Sequence, residues 1–571
     1  MLHLDKINDV FKLPIFYNNN KRSINKTIVT DLELLDTHDA SLNSIYDVFL
    51  NLNDNRLSKQ IAKQIAECYT TDVRYLTDTQ EILKQFDVNY SGNHLDCDKM
   101  WNIWEDIHAE TDFNANYGYV DWDKLDFLNN SQLFLQILSI YQMLSPVISL
   151  TTPLIIIIIP FAVLKLRGIN LTTQEYINVL KTILSQNPLG KLLNGVDQLS
   201  QRDLLMVVTS LIFYAFSIYQ NVIVCIKFHT NMKKIHKHFE IINFYLKDTI
   251  DNMNKYLQLS AVFASQTNFN ETLKNNITTL VEMYNHFNSI TEYSITNFRK
   301  ITEIGKVLKH FYQIRKNKRY NDAFLYSFGF NGYMYCLNGI ADNLNNKKIN
   351  MCKYRLKNNK KNIFKNAYYA ALKNKKHVKN NIKFNNNLIF TGPNASGKTT
   401  ILKTGLINVI FSQQFGCGFY KTGILKPYDF IHCYLNIPDT SGRDSLFQAE
   451  ARRCKEIIDV VNNNKECNHF CVFDELYSGT NPEEAETSST SFMRYLTKNK
   501  NVTTQLTTHF IKVCDNLEDV NNIHNFHLQT HNVNNSLVFT YKLKKGISIV
   551  KGGIDILQKM NYPKEILDNC K

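Results

Sequence analysis

A run of nine residues in the second half of the chain has the composition of a loop that binds a nucleotide's phosphates. It matches the pattern Gly-x-x-x-x-Gly-Lys-Thr, in which backbone N–H groups and a helix N-terminus offer partial positive charge to the β-phosphate. We expect Lys398 to bridge the β- and γ-phosphates and the Thr399 hydroxyl to ligate Mg²⁺. The predicted phosphate-binding residues are Gly392, Pro393, Asn394, Ala395, Ser396, Gly397, Lys398, Thr399 and Thr400.

Two adjacent acids follow the apolar run 470–473 further along the chain. Adjacent carboxylates usually lie in a solvated turn, but a buried strand before them and a phosphate-binding loop upstream favour a catalytic interpretation. Asp474 is predicted to hold the Mg²⁺ ion through water. Glu475 is predicted to orient and deprotonate the attacking water as a general base.

A third pattern, the strand 502–507, ends in Thr508, His509 and Phe510. A polar residue at the C-terminal edge of a strand lies beside the nucleotide in sheets of this class. A lone histidine is more often structural, so the assignment of His509 to the γ-phosphate depends on the phosphate-binding loop and the acidic pair. Together the three clusters predict a Mg²⁺-dependent ATPase that converts ATP and water to ADP and phosphate.

The phosphate-binding loop needs a strand before it and a helix after it. The short apolar run 387–391 and the apolar run 401–411 supply both. We therefore predict an α/β P-loop domain over residues 340–571, with a mostly parallel sheet and helices on both faces.

The preceding sequence is predicted to be mainly α-helical. Residues 1–130 carry apolar side chains at helical spacing, as in Leu57, Ile61 and Ile65, and residues 228–339 repeat that pattern as a helical core or stalk. Between them, residues 131–227 contain two long uncharged runs.

The uncharged runs, about 137–164 and 204–226, are long enough to cross a bilayer, which needs about 20 apolar residues of helix. We predict a membrane hairpin that keeps both termini and the ATPase in the cytosol; the alternative is a pair of helices buried in a large helical core. Pro146, Pro153 and Pro160 are expected to break or kink the first run.

The formal net charge of +13 is unevenly distributed, because no Asp or Glu occurs between Asn343 and Tyr428. Such a stretch attracts polyanions, either nucleic acid or an anionic membrane, although a solvated linker is an equally good explanation. The twelve cysteines form no CxxC pair and no zinc-finger spacing, so an intracellular protein without a disulfide framework is expected.

Taken together, the motifs resemble the ATPase domain of the MutS family over about the last third of the chain. Residues 391–400 resemble its T-G-P-N-x-x-G-K-S/T-T, residues 474–481 its D-E-L/I-x-x-G-T-S/N, and residues 508–510 its T-H-Y/F. ABC and SMC ATPases share the loop and the acidic pair but carry L-S-G-G-Q before the acids, and nothing like it precedes Asp474.

Two further motifs extend the resemblance. Residues 445–450 are similar to the family's S-T-F-x-x-E, whose serine reaches the nucleotide of a partner subunit, so the resemblance implies that Ser445 acts in trans in a homodimer or heterodimer. Gly553 and Ile554, with residues 561–566, keep the spacing of the family's C-terminal motif.

The family implies a role in mismatch repair or recombination on double-stranded or branched DNA. Phe-x-Glu begins only at Phe269 and at Phe473, the second inside the acidic cluster, and neither is close to the first residues, where mismatch-recognising members of the family carry it. We therefore expect a divergent member without the mismatch-recognition domain. The alternative function is a membrane-anchored ATPase whose dimer closure moves the stalk or the membrane segment. The first hypothesis expects a protein soluble at sites of DNA, and the second a membrane-associated one.

Overall fold

The computed structural model describes residues 4–39, 41–52, 55–86, 97–169, 172–184, 200–290, 301–355, 362–384, 386–435, 445–533, 536–550, 557–558 and 560–569. The chain divides into two compact units. The first comprises Met1–Asp98, Asp248–Thr278 and Phe324–Lys571, and the second comprises Lys99–Lys247 and Thr279–Ala323. Each unit combines separate stretches of sequence, so the segment boundaries predicted at 130, 227 and 339 remain predictions.

The helices of the described residues are α1 (Asp5–Val10), α2 (Lys26–Asp31), α3 (Ile45–Leu50), α4 (Arg56–Ile65), α5 (Val73–Gln85), α6 (Cys97–Ala109), α7 (Phe113–Tyr117), α8 (Gln132–Leu166), α9 (Thr173–Leu184), α10 (Gln201–Ser260), α11 (Thr267–Asn288), α12 (Ile304–Lys316), α13 (Lys318–Asn345), α14 (Lys398–Gln414), α15 (Leu446–Asn463), α16 (Pro482–Leu496), α17 (Ile511–Asn516) and α18 (Lys564–Asn569).

The strands are β1 (Lys21–Ser23), β2 (Cys68–Thr70), β3 (Asn350–Tyr354), β4 (Ile363–Ala367), β5 (Asn380–Lys383), β6 (Asn387–Thr391), β7 (Cys417–Gly418), β8 (Thr422–Leu425), β9 (Phe430–Tyr434), β10 (His469–Asp474), β11 (Val502–Thr507), β12 (Ile523–Val533) and β13 (Ser536–Lys545). They form three sheets, in the orders β1-β2, β13-β12-β6-β11-β10-β9 and β5-β4-β8-β3-β7.

The six-stranded sheet is the α/β core predicted from the sequence. Strands β12, β6, β11, β10 and β9 run parallel, and only β13 is antiparallel, to β12. Strand β6 is buried along its whole length, as are nearly all positions of β10 and β11, as expected for parallel strands covered on both faces. The five-stranded sheet, in which only the β3–β8 pair is parallel, was not predicted.

The register of the parallel strands brings the ends of three strands to one edge of the sheet. Asp474 pairs with Thr507, and Thr507 pairs with Phe390, one residue before the end of β6. The carboxyl ends of β6, β10 and β11 therefore lie side by side, which is where an α/β sheet binds ligands.

The N-terminal residues of the first unit cover the far end of α14, the helix that follows the phosphate-binding loop. The Phe49 ring stacks on Phe411 at 3.9 Å, and the Tyr46 hydroxyl donates to the Gln414 side chain at 3.0 Å. The Gln414 amide in turn donates to the backbone oxygens of Ile65 and Cys68. These contacts explain why α14 is buried on nearly all sides.

In the second unit, α8 continues through its three prolines, so a break at these positions is wrong, while the alternative of a kinked helix stays a prediction. A proline leaves the carbonyl four residues earlier without its helical donor. The Ser145 hydroxyl donates to Gln142 O at 3.0 Å, the carbonyl freed by Pro146. The Tyr214 hydroxyl of α10 donates to Ser149 O at 3.0 Å, the carbonyl freed by Pro153.

Candidate active site

The phosphate-binding loop turns between β6 and α14 in a conformation that requires its second glycine. Gly397 caps α14 with φ +97°, a left-handed conformation that side chains rarely adopt. A Cβ on Gly397 would also lie 3.2 Å from the Tyr541 ring. The loop and the N-terminus of α14 together line a cavity.

Lys398 is the first residue of α14, and its side chain is only 5 % exposed. Its Nζ donates to Gly392 O at 3.0 Å and makes longer contacts with Pro393 O at 3.4 Å and Asn394 Oδ1 at 3.5 Å. Burial lowers the pKa of Lys398, and the nearby carboxylates of Glu475 and Asp474 act in the opposite direction. The ammonium is thus a buried cation held mainly by neutral oxygens.

Asp474 ends β10 between two threonine hydroxyls. Thr399 Oγ1 donates to Asp474 Oδ2 at 2.8 Å, and the Thr507 hydroxyl donates to Asp474 Oδ1. Burial raises the pKa of Asp474, and these two hydrogen bonds counteract the increase. The predicted Mg²⁺ ligands Thr399 and Asp474 are therefore in direct contact.

Glu475 follows Asp474 in a left-handed conformation with φ +52°, which is unusual for a residue with a side chain. Its Oε2 lies 2.8 Å from His509 Nε2, and its Oε1 lies 3.9 Å from Lys398 Nζ. Burial raises the pKa of Glu475, but the hydrogen bond and charge of His509, together with the charge of Lys398, outweigh it and lower the pKa overall. Glu475 is therefore held in the ionised form that a general base requires.

A cavity of about 600 Å³ lies beside the loop. Its lining combines loop and α14 residues and Glu475 with residues that the sequence analysis did not predict, namely Tyr368, Tyr369, His377, Val378, Leu528 and Tyr541. The rings of Tyr368 and His377 stack at 4.1 Å with 9° between their planes. For Tyr368, Tyr369 and His377, the sequence signal was a group of aromatic residues within a stretch rich in Lys and Asn.

Ser445 is absent from the residues that line this cavity and is exposed. Its hydroxyl accepts from Gln448 N at 3.3 Å and its N–H donates to Gln448 Oε1 at 3.0 Å, which makes it the N-cap of α15. Its predicted role in a partner's site stays a prediction. Gly553 and Ile554 lie outside the described residues.

Comparison with known proteins identifies the domain. Residues 388–571 match the family model described as MutS domain V. The C-terminal part of the chain is therefore a domain similar to MutS domain V. Similar curated proteins are the DNA mismatch repair protein MutS of Persephonella marina, 26% identical over 209 residues, and Endonuclease MutS2 of Finegoldia magna, 30% identical over 224 residues.

These matches cover 36% of the chain, and 24% of the Persephonella marina protein and 26% of the Finegoldia magna protein. The MutS protein of Prochlorococcus marinus is similar, with 30% identity over 207 residues, 35% of this chain and 22% of that protein. The chain thus spans about a quarter of the length of the relatives it matches.

The MutS family implies ATP and Mg²⁺, and the residues of domain V fit both. Hard oxygen ligands of the kind Mg²⁺ takes meet where Thr399 contacts Asp474. The buried Lys398 ammonium and the N-terminus of α14 favour phosphate. The hydroxyl of Ser396, buried in the loop, has no hydrogen-bond partner in the described part of the chain.

We predict that His509→Ala moves the acidic limb of the ATPase pH profile to higher pH. In the wild type, His509 counteracts the effect of burial on the pKa of Glu475. Without His509, that pKa rises and the base is protonated at a higher pH. The measurement is kcat against pH at saturating Mg-ATP. His509→Gln, which keeps a donor, should shift the limb less, and an unchanged limb in His509→Ala would contradict this pairing.

Proposed function

We propose that this MutS-family protein is a Mg²⁺-dependent ATPase that hydrolyses ATP to ADP and phosphate at composite dimer sites and couples hydrolysis to DNA binding. One observation carries the proposal. An ionised Glu475, held by His509 at 2.8 Å, lies beside the buried Lys398 and directly after the Asp474–Thr399 pair.

Each of these side chains has a separate task. The Lys398 ammonium would bind the β- and γ-phosphates, while Thr399 and Asp474 would hold a Mg²⁺ ion, which would neutralise phosphate charge. Glu475 accepts the proton of the attacking water, and His509 keeps Glu475 oriented and ionised.

The aromatic residues that line the cavity are suited to the other end of the nucleotide. The stacked rings of Tyr368 and His377 line the same cavity as the phosphate-binding loop. Flat heteroaromatic rings stack favourably on aromatic side chains. We therefore assign the adenine base to these residues.

Ser445 supports a composite site because it is exposed at the start of α15, outside its own chain's cavity. In the family motif this serine contacts the nucleotide of a second subunit. The proposed partner is a second copy of this chain or a related subunit.

DNA is the proposed polyanion partner. The relatives are named for mismatch repair and as an endonuclease, and the stretch from Asn343 to Tyr428 has no acidic residue. Phosphate contacts by Lys and Arg account for most non-specific DNA affinity.

We predict that Glu475→Gln lowers kcat about 100-fold or more, because the amide cannot accept the proton of water. Nucleotide affinity should change little, since the glutamine side chain is isosteric with the glutamate it replaces. The measurements are phosphate release under steady-state conditions and equilibrium binding of a slowly hydrolysed ATP analogue.

Glu483→Gln, an exposed glutamate in the first turn of α16, is the matched control and should retain the wild-type rate. A Glu475→Gln variant as fast as wild type would refute the assignment of the base. Adding branched or mismatched duplex DNA at low salt to the same assay tests the partner. If DNA changes neither the rate of ATP hydrolysis nor the affinity for the ATP analogue, the DNA part of the proposal is excluded.

A membrane-anchored ATPase is the second candidate, and the surface of the second unit favours it. By length and composition, two described helical segments are long and apolar enough to span a bilayer, Gln132–Ile155 and Leu204–Ser260. Their apolar side chains face outward, for example Leu133 at 71% and Phe213 at 72% exposure. Helices buried in a soluble core would hide these side chains instead.

Polar groups lie between these helices. Asn221 Nδ2 donates to Ser149 Oγ at 2.6 Å, and the Tyr214 hydroxyl donates to Ser149 O. This arrangement, polar groups paired inside and apolar ones outside, is the one a bilayer requires. The uncharged run 204–226 extends about 34 Å at 1.5 Å per residue, against a hydrocarbon core of about 30 Å.

We predict that the full chain floats with lipid vesicles and that a chain lacking residues 133–227 does not. Each sample is washed with high salt before flotation, because salt releases a basic surface bound to anionic lipid but leaves an inserted hairpin in place. Only detergent should release the full chain. Equal solubility of both chains would rule out the membrane hairpin.

A further inference from the structure

The loop that follows β10, residues 475–481, is called the base loop here because it begins with Glu475. Two of its residues have left-handed backbones, Glu475 with φ +52° and Tyr477 with φ +58°. Residues with side chains adopt this conformation only where surrounding contacts impose it. The position of the base therefore depends on whatever holds the rest of the loop.

The main contact is Glu450, a carboxylate only 2% exposed. Its Oε1 accepts from Ser478 Oγ at 3.1 Å, and its Oε2 accepts from Gly479 N at 3.2 Å. A buried carboxylate is costly unless hydrogen-bonded, and both oxygens of Glu450 are committed to the base loop.

Tyr434 makes a third hydrogen bond to the base loop. Its hydroxyl accepts from Tyr477 N at 3.3 Å, at the second left-handed residue. Burial raises the pKa of Tyr434, and the charge of Glu450 raises it further. Glu450 and Tyr434 thus both hold the base loop.

Glu450 lies on α15, five residues after Ser445, the N-cap of that helix. The first residue of α15, Leu446, also packs against the base loop, because a Cβ on Gly479 would lie 2.6 Å from Leu446 Cγ. Any displacement of the start of α15 is therefore transmitted to the loop through Glu450 and Leu446.

We propose that Glu450 is a positioning residue that sets the conformation of Glu475. This inference rests on the proposed ATPase.

The test uses the full chain with Glu450→Gln, which preserves shape but places an NH₂ group where one acceptor oxygen was. We expect kcat to fall about tenfold or more while the affinity for a slowly hydrolysed ATP analogue stays within about twofold. Glu456→Gln is the matched control, because Glu456 lies on the same helix and is paired with Arg453 at the surface. It should retain the wild-type rate.

Ser478→Ala removes one of the two hydrogen bonds and should lower kcat less than Glu450→Gln. Adding Ser478→Ala to Glu450→Gln should have little further effect, since both act on one contact.

The outcomes separate this inference from the ATPase proposal. If wild type hydrolyses ATP and Glu475→Gln does not, but folded Glu450→Gln has the wild-type kcat, the inference is wrong and the ATPase proposal stands. If Glu450→Gln does not fold, an unchanged kcat in Ser478→Ala overturns the inference. A wild-type chain that binds but never hydrolyses ATP overturns both.

Discussion

The active-site geometry depends on the hydrogen bonds by which two threonines hold Asp474 at the end of β10. Thr399 comes from the helix after the phosphate-binding loop, and Thr507 comes from the end of β11, so the buried carboxylate joins three elements at the edge of the sheet. Its burial is tolerable because both oxygens accept hydrogen bonds. The next residue, Glu475, must then turn sharply out of the strand, which brings it to His509 and Lys398.

Local patterns in the sequence were sufficient to predict this edge. Strands β6 and β11 begin and end at the predicted residues. The apolar run of β6 ends just before a glycine, and β11, which is rich in β-branched threonine, ends at a polar turn. The pairing of His509 with Glu475 could not be predicted, since it depends on the register of two strands separated in the chain. The same applies to Tyr368 and His377, and to the N-terminal residues that cover α14, whose contacts are distant in sequence and leave no periodic signal.

The prolines of α8 show a second limit of sequence reasoning. Their effect on a helix depends on whether another group satisfies the freed carbonyls, and Ser145 and Tyr214 do so for Pro146 and Pro153. Helices α8 and α10 expose their apolar sides and are hydrogen-bonded to each other. They lie outside the part of the chain that matches MutS domain V.

The central claim is that one ATP site needs Lys398 of one chain and Ser445 of the other, and subunit mixing tests it directly. Lys398→Ala and Ser445→Ala are purified separately, and their hydrolysis is measured alone and after mixing. The account predicts that neither hydrolyses ATP alone and that the mixture recovers about a quarter of the wild-type rate, because half the dimers are mixed and each has one intact site. A mixture as inactive as its components, or a fully active Ser445→Ala, would contradict the composite site.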